Sequence, residues 1–118
     1  MLSATLPLTL TLNARLKQRV NLDQIIFLEG DTNYTSFHFK SRRRILIARP
    51  LKYFEADLLP RGFLRIHRSH IVNSRFIKSI NLLESTLTLV DGTVLSVARR
   101  RVKEVSQLIF KTFNNQIS

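Results

Sequence analysis

The side chains with the most chemical potential lie between Arg65 and His70, where two histidines stand three residues apart among arginines. A His-x-x-His pair is half of a metal site. No cysteine or carboxylate sits beside this one, and Arg65 and Arg68 place positive charge where a dication would bind. The same histidines, with a lysine for proton transfer and an arginine for phosphate, contain the groups a phosphodiesterase uses. In one continuous extended segment, however, residues three apart face opposite sides, which separates the two imidazoles. The expected roles of His67 and His70 are therefore packing, loop capping or phosphate contact, with no metal and no cofactor. The sequence also has no glycine-rich phosphate loop and no nucleophile elbow, so it reads as a binding protein rather than an enzyme.

Arginine dominates everything else. Lys and Arg number 19 against 8 Asp and Glu, a net charge of +11, and three basic stretches stand out: Arg42 to Arg44, Arg99 to Arg101, and Arg61, Arg65, Arg68 and Arg75. A polyanion is the expected partner. Thirteen of the 19 are Arg, whose planar fork suits phosphate and guanine better than it suits a lipid surface. Most of the eight Phe fall at positions whose alternation assigns them to a core, leaving Tyr34 and Tyr53 as candidate exposed aromatics. RNA binding, or a ribosome-associated basic protein, therefore ranks behind duplex DNA, and nucleic-acid cleavage ranks third. With no cysteine, no membrane-length apolar run and no signal-peptide pattern in Met1 to Leu12, a cytoplasmic location is expected.

Stepping from these residues to what must hold them, 118 residues that are 44% hydrophobic fill one core, and no repeat or linker divides them. Leu6, Leu8, Leu10 and Leu12 alternate with polar residues and predict a strand, which Pro7 pushes to a sheet edge. Ile25 to Leu28 reads as a buried strand ending in a turn at Glu29-Gly30-Asp31. Phe37 and Phe39 mark a half-buried strand, and Ile45 to Ala48 the next. Pro50 opens a short helix with Leu51, Phe54 and Leu58 on one face, closed by Pro60-Arg61-Gly62. Leu64 and Ile66 begin an apolar alternation that Ile71 and Val72 extend. Asp91-Gly92 predicts a two-residue type I′ hairpin between Leu87 and Val97. Val102, Val105, Ile109 and Phe113 form one helical stripe, with Lys103, Gln107 and Lys111 opposite. The architecture is mainly β: small antiparallel sheets, a short central helix and a C-terminal amphipathic helix.

Four ordered segments then resemble a known family. They are Ile26 to Thr35, the Leu51 to Leu59 helix, the string Phe63-Leu64-Arg65-Ile66-His67-Arg68-Ser69-His70-Ile71-Val72-Asn73, and Asp91-Gly92 through Arg99-Arg100-Arg101-Val102. Together they are similar to the LytTR DNA-binding domain of bacterial transcriptional (response) regulators over about Ile25 to Leu108. The resemblance implies loops docked into successive major grooves on one DNA face, with Thr35, Arg68 and Arg100 as base-contacting residues. Asn33, Tyr34, Ser69, Arg99 and Arg101 are their neighbours. Arg42, Arg43, Arg65, His67 and His70 are expected on phosphate or in support, with Arg65 alternatively paired to Glu29 or Glu84. One arginine of the 99–101 triplet must turn toward the helix packing. At Ala98 the family often has Ser, so one hydroxyl contact to phosphate is expected to be absent. The implied partner is double-stranded DNA with paired half-sites, occupied by a second copy of the chain. Residues 1–118 are read as a single such domain without a receiver domain, so the chain is either a stand-alone regulator, with a separate signalling partner, or a fragment of a longer one.

Overall fold

A strand made wholly of apolar residues has to be covered on both faces. Ile25-Ile26-Phe27-Leu28 is such a run, and all four residues are buried at the centre of the protein. The computed structural model describes residues 9–13 and 18–117, apart from the side chains of residue 13 and of those beyond 111. Among these the strands are β1 (Thr9–Asn13), β2 (Gln18–Asn21), β3 (Ile25–Asp31), β4 (Tyr34–Phe39), β5 (Arg44–Ile47), β6 (Phe63–His67), β7 (His70–Asn73), β8 (Ile77–Asn81), β9 (Thr86–Leu89) and β10 (Val94–Ser96). The helices are α1 (Glu55–Leu58) and α2 (Arg99–Ile117). All pairing is antiparallel, in sheets ordered β1-β2, β5-β4-β3-β7-β6 and β10-β9-β8.

A register shift between Ile25 and Phe27 sends Ile25 and Leu28 to one face of the central sheet and Ile26 and Phe27 to the other. The first face is covered by β1 and β2 and by a helical segment in which α1 is flanked by 3₁₀ turns at Leu51–Phe54 and Leu59–Arg61. Leu51, Phe54 and Leu58 are the buried stripe, and the Phe54 ring meets Phe37 edge-on at 4.9 Å. Gly62, at φ +93°, ends the segment in the left-handed conformation that glycine accepts without a Cβ clash. The second face is covered by the β8 to β10 sheet and by Val105 and Ile109 of α2.

Several expectations hold and several need correction. The Phe37 and Phe39 alternation, the central helical segment and the C-terminal helix with Lys103, Gln107 and Lys111 exposed are found where expected. Thr9–Asn13 is a strand with Leu10 buried, whereas Leu6, Pro7 and Leu8 lie outside the described residues, as does the Phe113 side chain. Strands β2 and β8 were not foreseen. Glu29-Gly30-Asp31 belongs to β3, and the turn falls one step later, at Thr32 and Asn33. The Asp91 hairpin is not type I′: only Gly92 has positive φ, Gly92 N donates to Leu89 O (2.9 Å) and Leu89 N to Thr93 O (2.8 Å). That is a three-residue loop, a type I turn closed by a glycine bulge. His67 and His70 are also not on one continuous strand. They face each other across the β6–β7 turn, ring centroids 5.8 Å apart.

Two close contacts fix the central sheet. The Asn73 side chain, 4% exposed, donates to Leu22 O (3.3 Å) and Ile25 O (2.9 Å) and accepts from Arg75 N (3.1 Å), so one amide closes the ends of β7 and β3. Gly30 lies so near the central segment that a Cβ there would fall 2.8 Å from Leu51 Cβ. Gly30→Ala is therefore predicted to destabilise the fold by about 1–3 kcal/mol through overpacking. Urea denaturation should show a lower midpoint with an unchanged slope, and an unaltered midpoint would mean that Leu51 yields freely.

Candidate nucleic-acid interface

Three chain segments meet at the end of the central sheet where β3 finishes and β4 begins. The first is the two-residue β3–β4 turn, with Thr32 at φ +54° and Asn33 and Tyr34 exposed beside it. The second is the β6–β7 turn, with Arg68 exposed at its tip. Gly30 N donates to Ser69 O (2.8 Å), which fixes the second turn against the first. The third is the junction of β10 and α2, where Ala98 N donates to Ile66 O (2.8 Å) and Val97 N to Ser85 O (2.8 Å). Ser96, His67 and Ser69 accordingly line one cleft, and Arg99 and Arg100 stand exposed at the start of α2.

One guanidinium ties the β6–β7 turn to α1. Arg65 Nε donates to His67 O (2.7 Å), its Nη2 to Arg68 O (2.6 Å), and its Nη1 to the Glu55 carboxylate. The partner is Glu55 of α1, rather than Glu29 or Glu84. His67 Nδ1 accepts from Ser69 N (3.1 Å), which places the proton of a neutral His67 ring on Nε2. Arg68 itself has no such side-chain tie and projects outward.

The start of α2 departs from ordinary helix chemistry. Its first turn has no acidic residue and carries Arg99, Arg100 and Arg101. Cations there oppose the helix dipole by about 0.3–1 kcal/mol each. Ala98, just before the helix, offers no side-chain acceptor to the first-turn N–H groups. Arg101 N already donates to Ala98 O (2.8 Å), which leaves the N–H groups of Arg99 and Arg100 and their exposed guanidiniums as the donors suited to an anion. Arg101 is the arginine that turns inward, half-buried in a groove lined by Phe63 and Leu64.

Thr35 does not reach this surface. It is fully buried on the core face of β4, and its Oγ1 donates to Arg49 O (2.8 Å), so as placed it has no path to a base edge. The error has a simple cause: alternation along β4 turns Tyr34 outward and Thr35 inward. What Thr35 does instead is anchor Arg49, an exposed residue that sequence reasoning missed, whose guanidinium lies over the Tyr53 ring at 4.8 Å. A lone Arg before a proline gave no signal. Arg42 and Arg43 are not at this edge either. They lie in the β4–β5 turn, where Lys40 N donates to Gln24 O (2.8 Å), beyond the Ile25 end of β3. The six residue steps from Ile25 to Asp31 put that end about 20 Å away.

All three histidines gather on the β10-facing side of the sheet around Glu29. His38 Nε2 lies 3.3 Å from Glu29 Oε1, His70 Nε2 lies 3.7 Å from Oε2, and His38 stacks on Phe27 at 4.1 Å. Burial lowers the pKa of His38 and His70 from the ordinary 6.5, and the Glu29 charge offsets only part of that effect. Among the described residues no group of three or more His, Asp or Glu is arranged to hold a metal ion, and no helix is long and apolar enough to cross a membrane.

A β-rich scaffold offering two turns and a basic helix start along one edge defines a nucleic-acid-binding domain. The LytTr DNA-binding domain family matches residues 17–110, and the chain belongs to that family. The structure is similar to the LytTr DNA-binding domain of a putative methyl-accepting/DNA response regulator from Bacillus cereus. That likeness has a TM-score of 0.70 and 26% identity, covering 86% of this chain and 95% of that one. The sequence is 30% identical to the heme-containing CO-sensing transcriptional regulator RcoM 2 of Paraburkholderia xenovorans (strain LB400). The match covers 76% of this chain and 35% of the relative, so the chain spans about a third of that protein's length.

Two outcomes follow from this geometry. Arg65→Lys keeps the charge but cannot reach both carbonyl oxygens and Glu55, so it should cost about 1–3 kcal/mol of stability. It should also weaken binding to a selected duplex more than to random DNA. Titration of both duplexes with the variant tests this, and an equal loss on the two would assign Arg65 to charge alone. For pH, the unfolded chain takes up protons at His38 and His70 near 6.5, whereas the folded chain does so only at the lowered values. Stability should thus be full above 6.5 and fall as pH drops through that window. Urea midpoints measured at successive pH values should show this fall, less steeply in His38→Phe; a rise on acidification would contradict it.

Proposed function

We propose that this domain reads double-stranded DNA in a sequence-specific manner, with Arg68 and Arg100 reaching base edges in successive major grooves. The observation that carries the reading is their convergence: both are exposed on one edge, on segments locked together through Gly30 to Ser69 and Ile66 to Ala98. Arginine at a loop tip offers the bidentate fork that fits guanine O6 and N7. Asn33, Tyr34, His67 through its Nε2–H, and Ser69 flank the readers. Arg49, Arg99 and the first-turn N–H groups of α2 take phosphates. Arg65 and His70 support the turn from within, and Arg101 the helix. Two copies would occupy paired half-sites about one helical turn apart, and the protein would regulate transcription in response to a signal delivered by another segment or partner.

The test separates reading from charge. Arg68→Lys and Arg100→Lys should each cost about 1–3 kcal/mol on the best site and relax preference at one or two base positions. Arg49→Ala should weaken specific and random duplex alike and reduce the salt slope by about one unit. Thr35→Val should leave base preference intact while lowering stability by about 1 kcal/mol. The measurement is a set of single-base variants of a selected site titrated against each protein at fixed salt, with unfolding monitored alongside. An unchanged base pattern in both lysine variants would sink the assignment of readers.

A further inference from the structure

The end of the central sheet opposite the reading edge carries a second concentration of positive charge. Lys40, Arg42, Arg43 and Arg44 are all exposed there, and with Asp91 and Thr93 of the β9–β10 loop they rim a cleft of about 400 Å³. Its floor is formed by the edges of the buried Ile26, Phe27 and Phe39, with the His38 ring stacked on Phe27 beside them. The cations are partly pre-positioned. The Arg43 guanidinium lies over the Phe39 ring at 5.3 Å, and Lys40 Nζ over Phe76 at 5.7 Å. Arg42 is held at φ +71°, a left-handed backbone unusual for a long side chain. Four cations face one acid, Asp91, whose carboxylate already sits in the field of Arg42.

We propose that this cleft docks an acidic protein segment bearing an apolar side chain, and that it does so while the opposite edge holds DNA. Charge complementarity sets the sign of the partner, and the arginine fork fits a carboxylate in two places at once. The floor decides between partners. An apolar side chain entering over Ile26 and Phe39 leaves water, whereas a sugar-phosphate backbone gains nothing from such a surface. Position argues the same way, because a duplex gripped at the Arg68 edge lies about 20 Å, the length of β3, from this cleft.

The experiment uses the full chain, isotopically labelled, and a short peptide alternating glutamate with leucine as probe. The backbone amides of Phe39 to Arg44 and of Thr93 should shift on titration, and those of Arg68 and Arg100 should not. Fluorescence anisotropy should show binding weakened on the order of tenfold in the charge reversal Arg43→Glu, Arg44→Glu, and also when glutamine replaces glutamate or serine replaces leucine in the peptide. Arg43→Gln with Arg44→Gln is the milder pair if the reversal disturbs folding. A selected duplex should bind the peptide-loaded protein with unchanged affinity. Peptide shifts at the Arg68 edge, or indifference to both pairs of substitutions, would overturn the proposal. So would a selected duplex that itself shifts Phe39 to Arg44 and loses affinity in the glutamine pair, since the cleft would then be a second DNA contact.

Discussion

The guanidinium of Arg65 reaches three acceptors that belong to different parts of the chain: two carbonyl oxygens of the β6–β7 turn and the Glu55 carboxylate of α1. Apart from Arg65, this two-residue turn is held by its flanking ladder, by Gly30 N on Ser69 O and by Ser69 N on His67 Nδ1, and a register shift interrupts the ladder between Arg65 and His67. With Arg65 in place the turn is referred to the helical segment, and through Gly30 to the β3–β4 turn as well. The outward direction of Arg68 is therefore fixed by the scaffold, and its own side chain remains free to meet a ligand. A lysine could supply the charge of Arg65, but its three N–H donors share one nitrogen and could not span acceptors that Arg65 meets with Nε, Nη1 and Nη2.

Covering both faces of the central sheet has a consequence for where binding can occur. One face lies under β1, β2 and the helical segment, the other under β8 to β10 and α2, so the surfaces rich in turns are the two ends of the strands. Each end has its own arginines. At one, three segments are cross-linked by backbone hydrogen bonds and the cations sit on loop tips and a helix start. At the other, the cations rim a concavity with an apolar floor. The same net charge is thus divided into a projecting surface suited to entering a groove and a recessed one suited to receiving a side chain.

Most of the architecture was legible because apolar periodicity reports burial directly. Phe37 and Phe39, the Leu51 to Leu58 stripe and the α2 stripe all depend on local spacing. What failed depends on partners distant in sequence. β2 has one buried residue, Val20, and owes its pairing to β1; β8 has only Ile77 buried and owes its pairing to β9. The β6–β7 turn escapes a reading of the sequence because Arg68-Ser69 contains none of the Gly, Pro, Asn or Asp residues that mark turns most strongly, and apolar residues continue on both sides. What stabilises the bend there is Arg65, Ser69 N and Gly30 acting from either side. Thr35 was assigned to the surface by a linear motif, although the alternation of its own strand already turned it inward beside Phe37. The expectation of phosphate contacts at Arg42 and Arg43 rests on charge alone, and charge carries no information about which end of a strand a turn occupies.

Local preference is overridden at two points along the edge that carries Arg68 and Arg100, as it is at Arg42 at the other end of the sheet. Thr32, a β-branched residue, holds a left-handed backbone at φ +54°, a conformation that costs on the order of 1–3 kcal/mol. Three arginines occupy a helix start that favours acids, and an alanine stands where a capping hydroxyl would satisfy that helix. Each choice is unfavourable in the isolated domain, and those at the helix start are of the kind an anion along the same edge would offset. A polyanion that accepts the α2 donors and neutralises Arg99 and Arg100 removes the repulsion at the helix start. In the proposed complex, part of the affinity would then come from repulsion released at the helix start, in addition to the new contacts.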